Sequence, residues 1–153
     1  MQCLLCAQPL HWQLSLEDFL SWQVLIRPRL CASCLRPFDV IDQSRACPGC
    51  GRAASPQLCA DCQRWRAQGE TLLRHRAVFS YNAAMKAFIQ QYKGLGDWRL
   101  HPAFQAQLQP PFRGAALVPL PSEAGHYAQR GFDPVLGLFE HLPLRQWLHK
   151  ADT

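Results

Sequence analysis

The run Cys47-Pro48-Gly49-Cys50-Gly51, followed by Cys59-Ala60-Asp61-Cys62, decides how this chain folds. Cysteines two residues apart aim two sulfurs at one point, and two such pairs supply the four thiolates of a closed tetrahedral metal site. The spacing recurs upstream at Cys3/Cys6 and Cys31/Cys34, so four C-x-x-C pairs use all eight cysteines within the first 62 of 153 residues. Eight ligands in four pairs satisfy two structural zinc ions with none left over and no open coordination position. A disulfide framework could use the same residues. The start MQCLLC, however, has no charged n-region, apolar h-region or cleavage site. That makes the cytoplasm the expected compartment, where cysteines stay reduced and bind metal more often than they crosslink.

Pro48, Gly49 and Gly51 are the turn-forming residues a zinc knuckle needs, because a turn that points N–H groups at sulfur often requires positive φ. Eight residues separate the last two pairs, enough for a short hairpin, whereas 24 residues, Ala7 to Leu30, separate the first two. In that insertion Ser15-Leu16-Glu17-Asp18 reads as a capping-box start, with Leu16, Phe19 and Leu20 at helical spacing. Trp12, Trp22, Val24, Leu25 and Ile26 add apolar bulk, and Pro28 closes the segment. Pairing in sequence order is the simpler arrangement. A cross-brace joining the first pair to the third and the second to the fourth stays open. No histidine sits at ligand spacing, which argues against a catalytic zinc; His11 and His75 read as surface or packing residues. A module this small needs its metal to fold.

The formal net charge is +5. Eight thiolates and two divalent ions subtract four charges and leave about +1, so any attraction to nucleic acid must come from local clustering. After Cys62, Arg64-Trp65-Arg66 and Arg74-His75-Arg76 interleave cations with an aromatic ring, as single-strand binders do to combine phosphate attraction with base stacking. Lys86 and Lys93 extend the basic set. A solvated helix face is the plainer reading of the same residues. No stretch approaches the ~18 apolar residues of a membrane span.

From Ala77 the pattern changes. Ala77-Val78-Phe79-Ser80-Tyr81 predicts a short strand. Asn82 caps a helix whose Met85, Phe88, Ile89 and Tyr92 share one face, and Gly94-Leu95-Gly96 ends it. A helix is expected over Pro102–Leu108, and the apolar run Ala115-Ala116-Leu117-Val118 reads as a parallel strand covered on both faces. It leads into Pro119-Leu120-Pro121-Ser122, a loop at a strand's carboxyl end, where α/β folds place ligands. A last helix is expected around Val135–Phe139.

These residues carry a resemblance. The cysteine module resembles the double zinc ribbon of the ComF family, the late-competence, phosphoribosyltransferase-like group. Tyr92-Lys93-Gly94 with Gly96-Asp97 is similar to its "YK-x-x-GD" segment. Leu117-Val118-Pro119-Leu120-Pro121 and then Arg130-Gly131-Phe132-Asp133 are similar to its "VPVP…RGFN" stretch, and Lys150–Thr153 to the start of its "K-x-x-T" segment. Asp133 and Pro134 depart from the usual Asn and Gln. The family's phosphoribosyl-pyrophosphate signature, two adjacent acids before a Thr/Gly loop, has no counterpart, since the adjacent acids Glu17-Asp18 lie in the cysteine module.

The resemblance implies a double zinc ribbon over 1–66, a basic connector over 67–76 and, over 77–153, the front part of a type I phosphoribosyltransferase-like α/β domain truncated before its phosphate-binding half. It implies a cytoplasmic role in handling incoming single-stranded DNA beside a competence helicase, with Arg64, Trp65, Arg66, Arg74, Arg76, Lys86 and Lys93 as candidate contacts. Pro119, Leu120, Pro121, Ser122 and Arg130 correspond to a pyrophosphate loop, with phosphoribosyl pyrophosphate and magnesium expected only in a full-length relative and no catalytic residue in this chain. Two rival readings are a phosphoribosyltransferase-family enzyme, inactive in this form, and a zinc-ribbon module that docks a protein partner.

Overall fold

The chain is held by short helices and turns: α1 (Leu16–Leu20), α2 (Ala32–Leu35), α3 (Ala60–Ala67), α4 (Ala83–Ile89), α5 (Ala124–Arg130) and α6 (Pro134–Leu138). The computed structural model describes residues 1–11, 15–21, 27–72, 74–110 and 114–150. Trp12, Trp22, Val24, Leu25, Ile26 and Ala151-Asp152-Thr153 lie outside them, as do the side chains of Asp18 and Phe19. β-Pairing among the described residues is confined to three isolated bridges, so the fold is largely non-sheet. Two compact units form, one of Pro37–Lys86 and one of Met1–Arg36 with Ala87–Thr153.

In the unit Pro37–Lys86, Phe38, Ile41, Ala46 and Met85 are buried, and Cys47, Cys59 and Cys62 form a buried cluster of their own with Leu58 and Leu72 against it. The strand expected over Ala77–Tyr81 is reduced to one antiparallel bridge, Val40 to Phe79, flanked by Ile41 N–H to Val78 O and Ser80 N–H to Asp39 O, each 2.9 Å. Phe38 and Phe79 meet edge to face beside it, their centroids 6.3 Å apart. Asn82 caps α4 as expected, its Oδ1 accepting from Met85 N–H at 3.0 Å. Its Nδ2 donates to Pro37 O at 2.8 Å and to Asp39 Oδ2 at 2.9 Å.

In the other unit, Phe88 and Tyr92 are buried as their spacing predicts, Phe88 meets Phe104 edge to face at 4.7 Å, and Leu100 and Ala103 are buried as well. The helix does not continue regularly to Gly94, because Gln90–Gly94 winds a π turn in which Leu95 N–H reaches back to Gln90 O at 2.9 Å. Tyr92 is fully buried; its ring tilts onto Phe132 at 5.2 Å and its hydroxyl donates to Pro134 O at 3.0 Å. Burial pushes the Tyr92 phenol far up, so it stays protonated and available as that donor.

Two expectations are corrected here. The helix over Pro102–Leu108 is instead a succession of turns, with Ala103 N–H on Leu100 O and Leu108 N–H on Phe104 O. Packing overrides helical propensity there, since Leu100, Ala103 and Phe104 all turn inward. The run Ala115–Val118 has a parallel partner, through the Leu117–Leu144 bridge and Arg145 N–H to Leu117 O at 2.8 Å. It is not covered on both faces: Ala115 and Ala116 are exposed and Leu117 and Val118 half-buried. A parallel strand is covered by its neighbours and crossover helices, and one bridge does not supply them. The helix expected from Leu16 forms as α1, with Leu16 and Leu20 82% and 75% exposed.

Asp133, which departs from the family pattern, organises the turn between α5 and α6. Its Oδ1 accepts from Val135 N–H at 2.8 Å and Leu136 N–H at 3.0 Å, and its Oδ2 accepts from Ser122 N–H at 3.0 Å. Burial opposes ionisation of this carboxyl. The N–H of Leu136, the Ser122 hydroxyl and N–H, and the N–H of Val135 outweigh it and hold the carboxyl below its ordinary range. A depressed folded-state value means the stabilisation is fully present above the unfolded carboxylate value of ~3.9 and disappears as pH falls below it. Asp133→Asn keeps one acceptor oxygen but turns an NH2 toward Ser122 N–H. We expect it to cost about 1–2 kcal/mol in denaturant unfolding at pH 7, with a smaller gap to the parent at pH 3, below the unfolded carboxylate value of ~3.9. A gap of the same size at both pH values would contradict this account.

Candidate metal centres and cavity

The eight sulfurs gather into two sets, Cys3, Cys6, Cys31 and Cys34 in one and Cys47, Cys50, Cys59 and Cys62 in the other, each with all ligand atoms within 4.8 Å of one another. Sequential pairing is therefore the arrangement present, and the cross-brace is not. The two centres are built alike. The first pair of each closes a knuckle: Ala7 N–H donates to Cys3 O and Gly51 N–H to Cys47 O, both at 2.9 Å. Cys3 N–H then reaches Gln8 O at 2.8 Å, and Cys47 N–H reaches Arg52 O at 2.9 Å. The second pair opens a helix instead of a second hairpin, with Cys31 as N-cap of α2 and Cys59 as N-cap of α3. Each capping residue donates its N–H to the buried sulfur of the knuckle, Cys31 to Cys3 Sγ and Cys59 to Cys47 Sγ, at 3.4 Å. Helix starts present unpaired N–H groups and positive potential, which favours thiolate there.

The residue after each knuckle must adopt left-handed backbone. Gly51 does so at φ 71, where a Cβ would stand 2.8 Å from His75 O. Ala7 does so at φ 58 without glycine's freedom.

Sulfur separations test the fit to a metal. A tetrahedron with bonds of about 2.3 Å has edges of about 3.8 Å, whereas a disulfide brings sulfurs to about 2.05 Å. The observed separations are 3.7 Å for Cys6–Cys31, 3.8 Å for Cys47–Cys62 and 3.6 Å for Cys50–Cys59, and all eight cysteines are free. Each set can hold one tetrahedrally coordinated ion.

Protons are divided unevenly within each set. The Ser33 hydroxyl and the Cys34 N–H bring Cys31 down to about 6. Burial pushes the Cys34 thiol up, with the Cys6, Cys31 and Cys3 sulfurs adding to it. In the second set, burial opposes ionisation of Cys47, yet the N–H groups of Cys59, Cys50 and Gly49 bring it down to about 6. Burial and the sulfurs of Cys50, Cys59 and Cys47 push Cys62 up to about 12. Four crowded sulfurs cannot all ionise alone, and a divalent cation is what allows them to.

The loop Pro119–Ser122 walls a cavity of about 600 Å³ with Glu123, Tyr127, Asp133, Leu136, Leu148 and Lys150 among its other lining residues. Lys150 Nζ stands 3.3 Å from Glu123 Oε2 at its edge. Arg130, read from sequence as part of the same loop, ends α5 and is not among the lining residues; its Cγ and carbonyl oxygen face Gly96 instead. Sequence reading missed α5 itself, although Gly131 at φ 80 just past Arg130 is a helix-stop signal. Asp97, in the segment beside Gly96, is held by the Arg99 guanidinium and Gln91, which lower its carboxyl to about 2.

The basic candidates divide between the units. Arg64, Trp65 and Arg66 lie on α3, with Arg74, Arg76 and Lys86 in the same unit, while Lys93 belongs to the other. All seven are exposed, and Trp65 is 52% exposed rather than packed away. Asp61 pairs with both Arg64 and Arg52. The unit Pro37–Lys86 carries seven Lys and Arg against four Asp and Glu. Among the described residues, no helix is long and apolar enough to cross a membrane.

No family model matches the chain, and no solved structure matches it. Two curated relatives do, both named Competence protein ComFC. That of Streptococcus pneumoniae (strain ATCC BAA-255 / R6) is 36% identical over 146 residues, covering 92% of this chain and 64% of the relative. That of Bacillus subtilis (strain 168) is 32% identical over 145 residues, covering 86% of this chain and 58% of the relative. The chain thus spans about three-fifths of the length of these curated relatives. Identity at this level over most of its residues supports the assignment of this chain to the ComF family.

Proposed function

We propose that this chain serves natural competence by contacting incoming single-stranded DNA through the basic face of its second cysteine module, with two zinc ions as structural cofactors. Support for the role comes from the two relatives named as competence proteins. The observation that carries the DNA reading is the exposure of Trp65 between Arg64 and Arg66 on α3, in a unit where cations outnumber acids. An aromatic face offers sequence-tolerant stacking and flanking guanidinium groups bind phosphate. Asp61 competes for Arg64 only as an exposed surface pair, which holds a guanidinium weakly. Zinc suits the centres because it takes four thiolates in a tetrahedron without redox chemistry or an open position. A helicase working on the same strand, in the cytoplasm, is the partner this reading calls for.

Binding should be sequence-tolerant and should fall with salt. Replacing Arg64 and Arg66 together by Ala should reduce the log–log salt slope by about 1–2, measured by fluorescence anisotropy with a labelled oligonucleotide. Affinity absent at low salt, or a double variant with the parent slope, would leave α3 as a solvated face.

A second reading is favoured by the cavity at Pro119–Ser122. A type I phosphoribosyltransferase-like site would hold the pyrophosphate of phosphoribosyl pyrophosphate and its magnesium there. The residues present fit only one side of such a clamp: the adjacent acids Glu17-Asp18 lie in the cysteine module with no Thr/Gly loop after them to hold the ribose and 5′-phosphate, and Arg130 is absent from the cavity wall. Calorimetric titration with phosphoribosyl pyrophosphate and magnesium distinguishes this from the DNA reading, saturable binding supporting it and silence removing it.

A further inference from the structure

The two cysteine centres share one plan but not one degree of shelter. In the second, Cys47, Cys59 and Cys62 are 3%, 6% and 5% exposed, and Leu58 and Leu72 pack against them. Gly51 turns its knuckle without strain. In the first, only Cys3 is buried; Cys31 and Cys34 are half-buried and Cys6 is exposed. The residue that turns its knuckle, Ala7, is a non-glycine held at φ 58 by the N–H bond to Cys3 O. Cys6 Sγ lies 3.7 Å from Cys31 Sγ, one tetrahedral edge apart and about 1.7 Å beyond disulfide length.

From this asymmetry we infer that Cys6 and Cys31 form a peroxide-sensitive modification site, through which the first centre gives up its metal while the second keeps its own. The inference rests on the reading of both centres as zinc-bound. Susceptibility to oxidation follows thiolate character and access. Metal binding provides the thiolate in both centres; access separates them. Hydrogen peroxide is the oxidant. Cys6 sulfur attacks one peroxide oxygen, the O–O bond breaks, and hydroxide leaves from a cysteine sulfenic acid. Cys31 thiolate then attacks the Cys6 sulfur, forming the S–S bond as the S–O bond breaks and a second hydroxide departs. Two thiolates lose two electrons in all, and one peroxide becomes two hydroxides. Two of the four donors are consumed, and the centre left with Cys3 and Cys34 no longer holds a tetrahedral ion. A thiol reductant with added zinc reverses the change.

The test uses the zinc-loaded chain. Zinc content is measured first, then hydrogen peroxide is added with a chromophoric zinc chelator present, and peptides are mapped by mass spectrometry as release proceeds. The expected result is one equivalent released about tenfold faster than the second, with a Cys6–Cys31 disulfide appearing at the same rate and both signals reversed by reductant and zinc. Simultaneous loss of two equivalents, a first disulfide among Cys47, Cys50, Cys59 and Cys62, or no release before general oxidation would each overturn it. A starting content below two ions per chain would instead overturn the zinc reading on which it depends.

Discussion

Removal of metal with a strong chelator is expected to unfold the segment Cys47–Cys62 and loosen Met1–Arg36, with one zinc ion lost from each. In each centre the four sulfurs bring the knuckle and the following helix start to one point. Around the second centre the apolar cover is Leu58, Leu72 and the cysteines themselves, and α2 is a four-residue helix with no buried residue. Helices this short do not persist alone, so the binding energy of the ion, of order 10 kcal/mol for four-ligand zinc, is their folding energy. Metal analysis of protein purified without chelator should give two ions per chain. The double substitution Cys47→Ser, Cys50→Ser should bring this to one and abolish protection of the amides of Gly51, Cys59 and Gln63 from hydrogen exchange. The amides of Ala7 and Leu35 should stay protected, since they belong to the other centre. Two ions retained in the double variant would mean the metal is held by something other than these sulfurs.

The same physics decides what could be read from the chain beforehand. A C-x-x-C knuckle and a helix N-cap are local, so the ligands, the turn glycine Gly51 and the cap Asn82 are visible as short patterns. The buried face of Phe88 and Tyr92 is visible for the same reason. Strands are not local. Ala77–Tyr81 and Ala115–Val118 have the right composition, but their pairing depends on Val40 and Leu144, far away in sequence, and one bridge each is what forms. The turns over Pro102–Leu108 and the exposure of Leu16 and Leu20 follow from tertiary surroundings that periodicity does not encode. At the cavity, the loop Pro119–Ser122 is legible because its prolines stiffen it. The role of Asp133 is not, because one carboxylate there serves two segments eleven residues apart.

Gly137→Ala is expected to destabilise the protein by about 2 kcal/mol, although alanine is the better helix former by ~1 kcal/mol and the site lies within α6. A Cβ there would overlap the Tyr92 hydroxyl and stand 2.5 Å from the Trp98 ring. Neither is a flexible tip that can swing away. Tyr92 is fully buried, stacked on Phe88 and fixed by its bond to Pro134 O, and Trp98, although 42% exposed, is a rigid ring stacked on His101 and edge-on to Phe132. Overpacking a rigid site costs roughly 1–3 kcal/mol, and here two aromatic rings must move together, so the upper part of that range wins over propensity. For a chain of this length, that amounts to a fall of roughly 4–8 °C in Tm. Tyr92→Phe alone should cost about 1 kcal/mol by removing the hydroxyl and leaving the Pro134 carbonyl without its donor. It also clears part of the space the new methyl needs, so the double variant should be more stable than the sum of the two single losses by at least ~0.5 kcal/mol. Strict additivity would show that α6 shifts away as a body and that the hydroxyl is not what excludes a side chain at position 137.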